Sequence, residues 1–161
     1  MAVIDAYHKI KYIDSSGGIY LNDTINPTGL DSNWRVLDGG AAYWSPFLSM
    51  IHTSLTDPFD GILSLNRAGL NWKIKATINA QDNLGQYNTW QFGISVSGAA
   101  PTAESYEIQN HGPGNPETQC ICFTDILQAS QFTWLRIMVR RLGGTGTSIR
   151  IVNAAIEAIG H

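Results

Sequence analysis

The sequence predicts one all-β domain of antiparallel strands, arranged as a sandwich or a barrel. Three observations lead to this prediction. Apolar and polar residues alternate with a period of two, turn-forming residues recur at short intervals, and no segment shows a convincing helical periodicity. The length of 161 residues suits a single hydrophobic core.

Composition excludes several classes of protein. Charged residues make up 14% of the chain and hydrophobic residues 43%, a balance that argues against disorder. The pI of about 5.7 argues against a nucleic-acid partner, because phosphate binding needs a basic surface. The sequence has no run of about 20 apolar residues, so we expect no association with a membrane.

The N-terminus and the cysteines bear on the cellular compartment. Asp5, His8 and Lys9 interrupt any apolar stretch of a secretory signal, so we expect the protein to be made and kept in a cytoplasm, or released by lysis. Cys120 and Cys122 lie two residues apart on a predicted strand, where a disulfide would be strained. Two buried thiols are therefore the favoured interpretation.

The clearest strand signal covers residues 70–79, where five apolar residues alternate with polar ones: Leu70, Trp72, Ile74, Ala76 and Ile78. A second run over 89–97 alternates in the same way, with Trp90, Phe92, Ile94 and Val96 on one face. Each run predicts a strand with one buried face. Because the segment 80–88 between them is polar, we expect the two strands to form a long hairpin.

Three more strands are predicted over 118–127, 132–142 and 147–159. The glycine-rich segment 141–147 is a strong hairpin signal, since glycine supplies positive φ at a turn. In the last strand, the apolar residues occupy odd-numbered positions up to Ile151 and even-numbered positions from Val152 onward. This change predicts a β-bulge or bend near Asn153.

The first part of the chain has weaker signals. Short strands are indicated at 9–13, 18–21, 34–37, 49–53 and 62–65, with turn-forming residues between them. We expect residues 1–33 to form an N-terminal arm or edge strands, and residues 34–161 to form the domain itself.

No motif predicts a catalytic, cofactor or metal site. The four histidines stand apart from one another and from any nucleophile–carboxylate pattern: His8, His52, His111 and His161. The nearest histidine to the cysteine pair is nine residues away, too sparse a ligand set for a metal. We therefore expect that the protein is not an enzyme and needs no cofactor.

One loop and several aromatic residues are candidates for recognition. The irregular segment 110–117 contains Asn110, His111 and Asn115, and such loops on rigid β scaffolds often bind ligands. Four aromatic side chains could stack on sugars: Trp34, Tyr43, Trp44 and Tyr87. An ordinary exposed connection and packing within a core or interface are the favoured alternatives.

The strand 132–142 is apolar on both faces, which indicates self-association. Leu135, Ile137 and Val139 supply an inward face, while Phe132, Trp134 and Met138 lie on the opposite face. In strand 118–127, Ile121 and Phe123 likewise lie opposite the two cysteines. If the two strands are neighbours, their outer residues form an apolar patch of the kind that marks an interface, and we expect a symmetric homo-oligomer.

The order of these elements resembles the jelly-roll proteins of the tumour necrosis factor and C1q type, especially versions among tailed-phage virion proteins. The resemblance covers roughly residues 60–161 and is carried by the following segments: Gly69-Leu-Asn-Trp-Lys-Ile-Lys-Ala, Phe92-Gly-Ile-Ser-Val-Ser-Gly98, Cys120-Ile-Cys-Phe, Trp134-Leu-Arg-Ile-Met-Val and the apolar strand Ile149–Ile159. It implies an antiparallel jelly-roll sandwich that assembles as a homotrimer, with an interface drawn from Ile121, Phe123, Phe132, Trp134 and Met138.

The resemblance also implies a function and partners. We expect a capsid decoration, or cement, protein that stabilises a phage head by binding the major capsid protein at the virion surface. The N-terminal arm would dock on the shell through its apolar residues: Tyr7, Ile10, Tyr12, Ile13 and Tyr20. The alternative is a receptor-binding or carbohydrate-binding jelly-roll module of a fibre or spike.

Overall fold

All regular structure in the described part of the chain is β-strand. The computed structural model describes residues 16–21, 24–37, 44–46, 53–54, 63–65, 71–81, 88–101, 106–109, 118–128 and 133–160. In chain order the strands are β1 (Ser16–Leu21), β2 (Arg35–Val36), β3 (Trp44–Pro46), β4 (Thr53–Ser54), β5 (Leu63–Leu65), β6 (Asn71–Gln81), β7 (Thr89–Val96), β8 (Tyr106–Gln109), β9 (Thr118–Gln128), β10 (Thr133–Gly143) and β11 (Arg150–Gly160).

The strands form two antiparallel sheets. The first, called sheet A, has the order β3-β1-β11-β6-β9. The second, called sheet B, has the order β4-β5-β10-β7-β8, and β2 also pairs with β10. Side chains from both sheets belong to one hydrophobic cluster, so the two sheets pack face to face around a shared core. The predicted all-β sandwich is confirmed.

Both predicted hairpins are wrong. β6 pairs with β11 and β9 in sheet A, whereas β7 pairs with β10 and β8 in sheet B. The glycine-rich segment after β10 likewise leads to β11 in the opposite sheet rather than to a neighbouring strand. Alternation and turn residues reveal where a strand ends, but not which sheet the chain enters next. Here each of these connections crosses from one sheet to the other.

The alternation along the long strands places their apolar faces in the core. On β6, Trp72, Ile74 and Ile78 are at most 1% exposed. Trp90 and Phe92 on β7 are fully buried opposite them in the sandwich. Large buried aromatic side chains of this kind typically contribute most to a core, since truncating one to alanine costs about 3–5 kcal/mol.

The predicted bulge in the last strand is confirmed. The pairing of β11 with β6 shifts register between Ile151 and Asn153. Because the extra residue reverses the parity of the strand, Ile151 and Ala154 both face the core, as does Ile156. The two apolar sets that alternate out of phase in the sequence therefore lie on a single face.

Residues 16–21 and 24–33 form part of the segment predicted as an N-terminal arm or edge strands, and they belong to the sandwich. β1 lies inside sheet A between β3 and β11, and its Ile19 is fully buried. The physical reason is that the short apolar run around Ile19 completes the core face of this sheet. Residues 1–15, with the predicted strand 9–13, lie outside the described residues.

The segment 24–37 connects the two sheets as a strap. At one end Ile25 donates its N–H to Ile151 O of β11, and at the other Leu37 donates its N–H to Ile137 O of β10. Between them Leu30 donates to Thr147 O and Arg141 donates to Asp31 O. Leu30 is also buried, so the strap closes one end of the sandwich with both hydrogen bonds and apolar contact.

A buried asparagine anchors the connection between β10 and β11 against the start of β7. Asn88 is 1% exposed, and its Oδ1 accepts the N–H of Gly146 at 2.8 Å. The glycine is required by the close approach, since a Cβ at position 146 would lie 2.5 Å from Asn88 Nδ2. This contact ties the connection that leads from sheet B to sheet A to the start of β7, at the end that the strap closes.

We expect Gly146→Ala to destabilise the fold, because the added methyl group would force Asn88 out of its hydrogen bond. Overpacking of this kind costs about 1–3 kcal/mol. Gly143→Ala is the matched control, since the nearest atom to its Cβ would be Thr89 Oγ1 at 3.5 Å, an ordinary contact. Urea unfolding measures both variants, and an equal loss of free energy of unfolding in the two would contradict the role assigned to Asn88.

Candidate functional site

The outer faces of the two sheets are the surfaces that could carry a function. Among the described residues, no three His, Cys, Asp or Glu side chains are grouped so that they could hold a metal ion. Across the same residues, there is no helical segment with the length and apolarity that a membrane crossing requires.

The outer face of sheet A is defined by the register of β1, β11 and β6. Since directly opposite residues of paired strands share a face, the pairings define three transverse rows. These rows are Tyr20–Ala155–Thr77, Gly18–Glu157–Lys75 and Ser16–Ile159–Lys73. We call these nine positions the sheet A patch.

The sheet A patch contains two large exposed apolar side chains. Tyr20 is 38% exposed and Ile159 is 43% exposed, and the only other exposed large hydrophobic residue among those described is Leu142, on β10. Between them, Lys75 Nζ lies 3.7 Å from Glu157 Oε2. Because this surface ion pair balances one charge with another, the middle of the patch is close to neutral, although the pair itself contributes little stability.

Strand β9 forms the edge of sheet A next to β6, and it does not neighbour β10. The condition for one apolar patch shared by strands 118–127 and 132–142, that the two are neighbours, is therefore not met, because one lies at the edge of sheet A and the other inside sheet B. The register pairs Ile121 with Ile78 and Phe123 with Ala76, two buried core positions of β6.

Cys120 and Cys122 alternate along β9 with residues 121 and 123. Cys120 pairs with Asn79 and Cys122 with Thr77, which belongs to the sheet A patch. Cys120 is a free, exposed thiol, so the prediction of two buried thiols is wrong for this residue. An outward position on an edge strand exposes a side chain that composition alone assigns to the interior.

The outer face of sheet B has two tryptophan–arginine pairs. Arg136 Cζ lies 5.2 Å from the ring centroid of Trp134, and Arg140 Cζ lies 4.5 Å from that of Trp34. Arg140 also donates Nε–H to Oε1 of Gln91 on the neighbouring strand. We call these five residues the Trp–Arg face.

The chain itself covers part of this face. Ser97 and Gly98 both have positive φ, 48° and 85°, and they turn the chain back toward sheet B after β7. Pro101 then packs so closely on Gly93 that a Cβ there would lie 2.5 Å from the proline Cβ. The second burial surface that the two-sided apolar pattern of 132–142 requires is thus supplied partly by the same chain.

The predicted interface and recognition residues have different positions in the structure. Trp134 and Met138 are partly buried on the outer side of β10, and Tyr20 is exposed on β1. Residues 121 and 123 lie on β9, and the other members of these sets lie outside the described residues: Tyr7, Ile10, Tyr12, Ile13, Asn110, His111, Asn115 and Phe132. Neither Ile159 nor the Trp34–Arg140 pair was predicted as part of a site. Ile159 could have been identified only from its place among the alternate, outward-facing positions of β11.

Asp31 shapes the strap where it approaches β2. Its Oδ1 accepts the backbone N–H of Asn33 at 2.8 Å, and its Oδ2 accepts from Arg35 Nη2 at 3.1 Å. The backbone hydrogen bond from Asn33, together with the Arg35 and Asn33 side chains, lowers the pKa of the Asp31 carboxyl below its usual value. The ionised carboxylate therefore holds the bend that precedes Trp34.

Comparison with known proteins establishes the fold. No protein-family model matches the sequence, and no curated protein sequence matches it significantly. Eiger TNF from S. frugiperda has a similar structure, with a TM-score of 0.60 and 11% identity over 91% of this chain and 93% of that one. The PRD1 vertex protein P5 is similar with a TM-score of 0.51 and 12% identity, over 90% and 98%. The chain therefore has a TNF-like jelly-roll fold, and the predicted jelly roll is confirmed.

We expect the Asp31 carboxyl to titrate below its ordinary value of 3.8. Because its folded-state pKa is lowered, the stability it contributes is present above 3.8 and is lost as pH falls through the folded-state pKa. The difference in melting temperature between the parent protein and Asp31→Asn should be constant near neutral pH and shrink in acid. Carbon-detected NMR titration measures the pKa directly, and a midpoint at or above 3.8 would contradict this account.

Proposed function

We propose that this protein is a non-enzymatic structural protein of a phage virion, a jelly roll that self-associates and decorates the capsid surface as a cement protein. The observation that carries the proposal is the sheet A patch, where Tyr20 and Ile159 remain exposed on an outer face whose charged residues are the Lys75–Glu157 pair and Lys73. The structural similarity to the PRD1 vertex protein P5 supports a virion role by analogy of fold alone.

Self-association would bury the sheet A patch against a second copy of the chain. The row Tyr20–Ala155–Thr77 crosses three strands and contains no charged side chain. Burying this row in an interface therefore leaves no ion without a partner. The neighbouring Lys75–Glu157 pair would enter the interface with its charges already balanced. Exposed apolar side chains on a soluble protein commonly mark such a contact when they lie on one continuous face.

The sheet A patch is a better candidate for the interface than the outer face of β10. Trp134 and Met138 are already partly covered, in the case of Trp134 by the turn at Gly98. Positions 121 and 123 lie on β9, at the edge of sheet A, and so do not extend the outer face of β10. We propose a homotrimer, the symmetry expected from the resemblance, with Tyr20 and Ile159 in its interface.

Attachment to the major capsid protein would use surfaces away from the contact between subunits. Residues 1–15 precede the first described strand and contain Tyr7, Ile10, Tyr12 and Ile13, four of the five residues predicted to dock on the shell. We keep these four as the proposed docking residues and assign Tyr20 to the sheet A patch. In this arrangement, trimer formation would bring three docking segments together, which would strengthen weak individual contacts by multivalency.

We expect the parent protein to have a native mass of three times 17.6 kDa at micromolar concentration. Tyr20→Lys and Ile159→Lys should each raise the dissociation constant at least about tenfold, because a lysine would place an unpaired charge in the interface. Leu142→Lys is the matched control, since Leu142 is 45% exposed on β10, outside the patch. Light scattering coupled to size exclusion measures all four proteins.

A monomeric parent protein would contradict the assembly. Dissociation by Leu142→Lys to the same extent as by Tyr20→Lys would also contradict the location of the interface. Melting temperatures of the variants separate loss of assembly from loss of fold.

We also expect the protein to bind empty capsids of the phage that encodes it, prepared without this protein. Binding should raise the temperature at which the capsids disrupt, since a ligand that binds only the intact shell stabilises it by mass action. Cosedimentation and a thermal-release assay measure the two effects. Absence of binding to these capsids, with the trimer intact, would exclude the cement role while leaving the self-association proposal in place.

A further inference from the structure

A pair of asparagines extends the outer face of sheet A by one row. Asn153 lies directly opposite Asn79, and Asn79 is in turn opposite Cys120 of β9. The bulge in β11 produces this register, because the residue that it adds brings Asn153 to the outward side. Asn153 and Cys120 are exposed, and Asn79 is partly buried. We call these three positions the amide row.

The two amides are hydrogen-bonded to each other within the single chain. Asn79 Nδ2 donates to Asn153 Oδ1. Because an amide group has two N–H donors and a carbonyl acceptor, Asn79 Oδ1 and both N–H groups of Asn153 can form hydrogen bonds beyond this one. Water can supply those partners as long as the row is open to solvent. Covering the row therefore requires a surface that replaces the water with polar groups of its own.

The sheet A patch is too small to form a stable interface by itself. Rows two residues apart lie about 7 Å from each other and neighbouring strands about 4.8 Å, so three rows on three strands measure about 14 by 10 Å. A specific interface buries about 800 Å² on each partner. An interface on this patch must therefore extend beyond it. Among the described side chains, the amide row adjoins the uncharged row Tyr20–Ala155–Thr77, whereas the opposite margin of the patch carries Lys73.

We infer that Asn79 and Asn153 are specificity-determining residues of the interface between copies of this chain. This inference rests on the proposed self-association through sheet A. A second copy that covers the amide row without hydrogen-bonding to it leaves polar groups buried and unpaired, whereas a copy in the correct register supplies their partners. A polar pair in an otherwise apolar interface selects one arrangement among several, at a cost in affinity. The amide row thereby limits assembly to one stoichiometry.

The rest of the patch discriminates poorly between arrangements. Tyr20 and Ile159 gain from burial against any apolar surface, since the hydrophobic effect has no direction. The Lys75–Glu157 pair is balanced within one chain, so it does not require a particular partner. Hydrogen bonds of an amide depend on both distance and angle. The amide row is therefore the part of this face that can distinguish one register from another.

The first test uses Cys120 to measure whether the amide row is covered. Its thiol is free and exposed in the single chain. In a Cys122→Ser variant of the full chain, alkylation by excess maleimide, followed by mass spectrometry, reports on Cys120 alone. We expect alkylation to be at least about tenfold slower above the dissociation constant of the trimer than below it, because the interface restricts access to the thiol.

The outcome of this measurement separates the inference from the proposed function. Equal alkylation rates at both concentrations, with a trimeric native mass, would overturn the inference and leave self-association through the patch in place. A protein that is monomeric at every concentration would overturn both.

The second test replaces the amides with leucine. Asn153→Leu leaves Asn79 without its partner in the interface, so the dissociation constant of the trimer should rise at least about tenfold. Asn79→Leu/Asn153→Leu removes both amides, so it should associate at least as tightly as the parent but give a mixture of masses at and above the trimer. Thr28→Leu/Ser32→Leu is the matched control, since it adds two leucines at exposed positions of the strap. Light scattering coupled to size exclusion measures all of these proteins.

Three results of the second test would contradict the assigned role. A double variant that stays a uniform trimer shows that the amides select nothing, and a monomeric one shows that they supply affinity instead of selectivity. A control that gives the same mixture of masses shows that added leucines alone cause it. Melting temperatures identify any loss of fold, and the Cys120 measurement decides the question if the leucine variants do not fold.

Discussion

Burial of one face of each sheet against the other is the constraint on which the rest of this structure depends. Trp72 and Ile156 of sheet A and Phe92 and Leu135 of sheet B are all fully buried in the shared cluster. Because the chain crosses between the sheets after β6 and again after β10, its connections have to close the ends of the sandwich. The strap 24–37 does so with backbone hydrogen bonds to both sheets, and the bulge at Ile151 keeps the last strand in phase with the core.

With the inner faces buried in the core, the outer faces are left to contact partners, and the two differ in which side chains they expose. On sheet B, the turn after β7 brings Pro101 onto Gly93, and the tryptophans pair with arginines of the same chain. That face is partly covered by the chain itself. On sheet A, Tyr20 and Ile159 stay exposed around a balanced ion pair. A partner that excludes water from apolar surface therefore suits sheet A.

The strands could be predicted from the sequence more fully than their partners. A half-buried strand imposes a period of two whichever strand lies beside it, so the alternation around Trp72 and Trp90 revealed both elements. The same alternation does not indicate which strands pair. The two hairpins predicted from adjacency in the chain, β6 with β7 and β10 with β11, are not formed. The burial of Ile19 and the contact of Trp34 with Arg140 depend on segments far apart in sequence, which no local pattern indicates. The bulge near Asn153 was predictable because a change of parity has few other causes.

The most direct test of the account is photo-crosslinking between subunits from each outer face. Benzoylphenylalanine introduced at Thr77, in the sheet A patch, should yield covalent oligomers after illumination of the purified protein at micromolar concentration. The same group introduced at Gln91, on the Trp–Arg face, should leave the protein monomeric in a denaturing gel. Crosslinked oligomers from position 91 and none from position 77 would contradict assembly through sheet A.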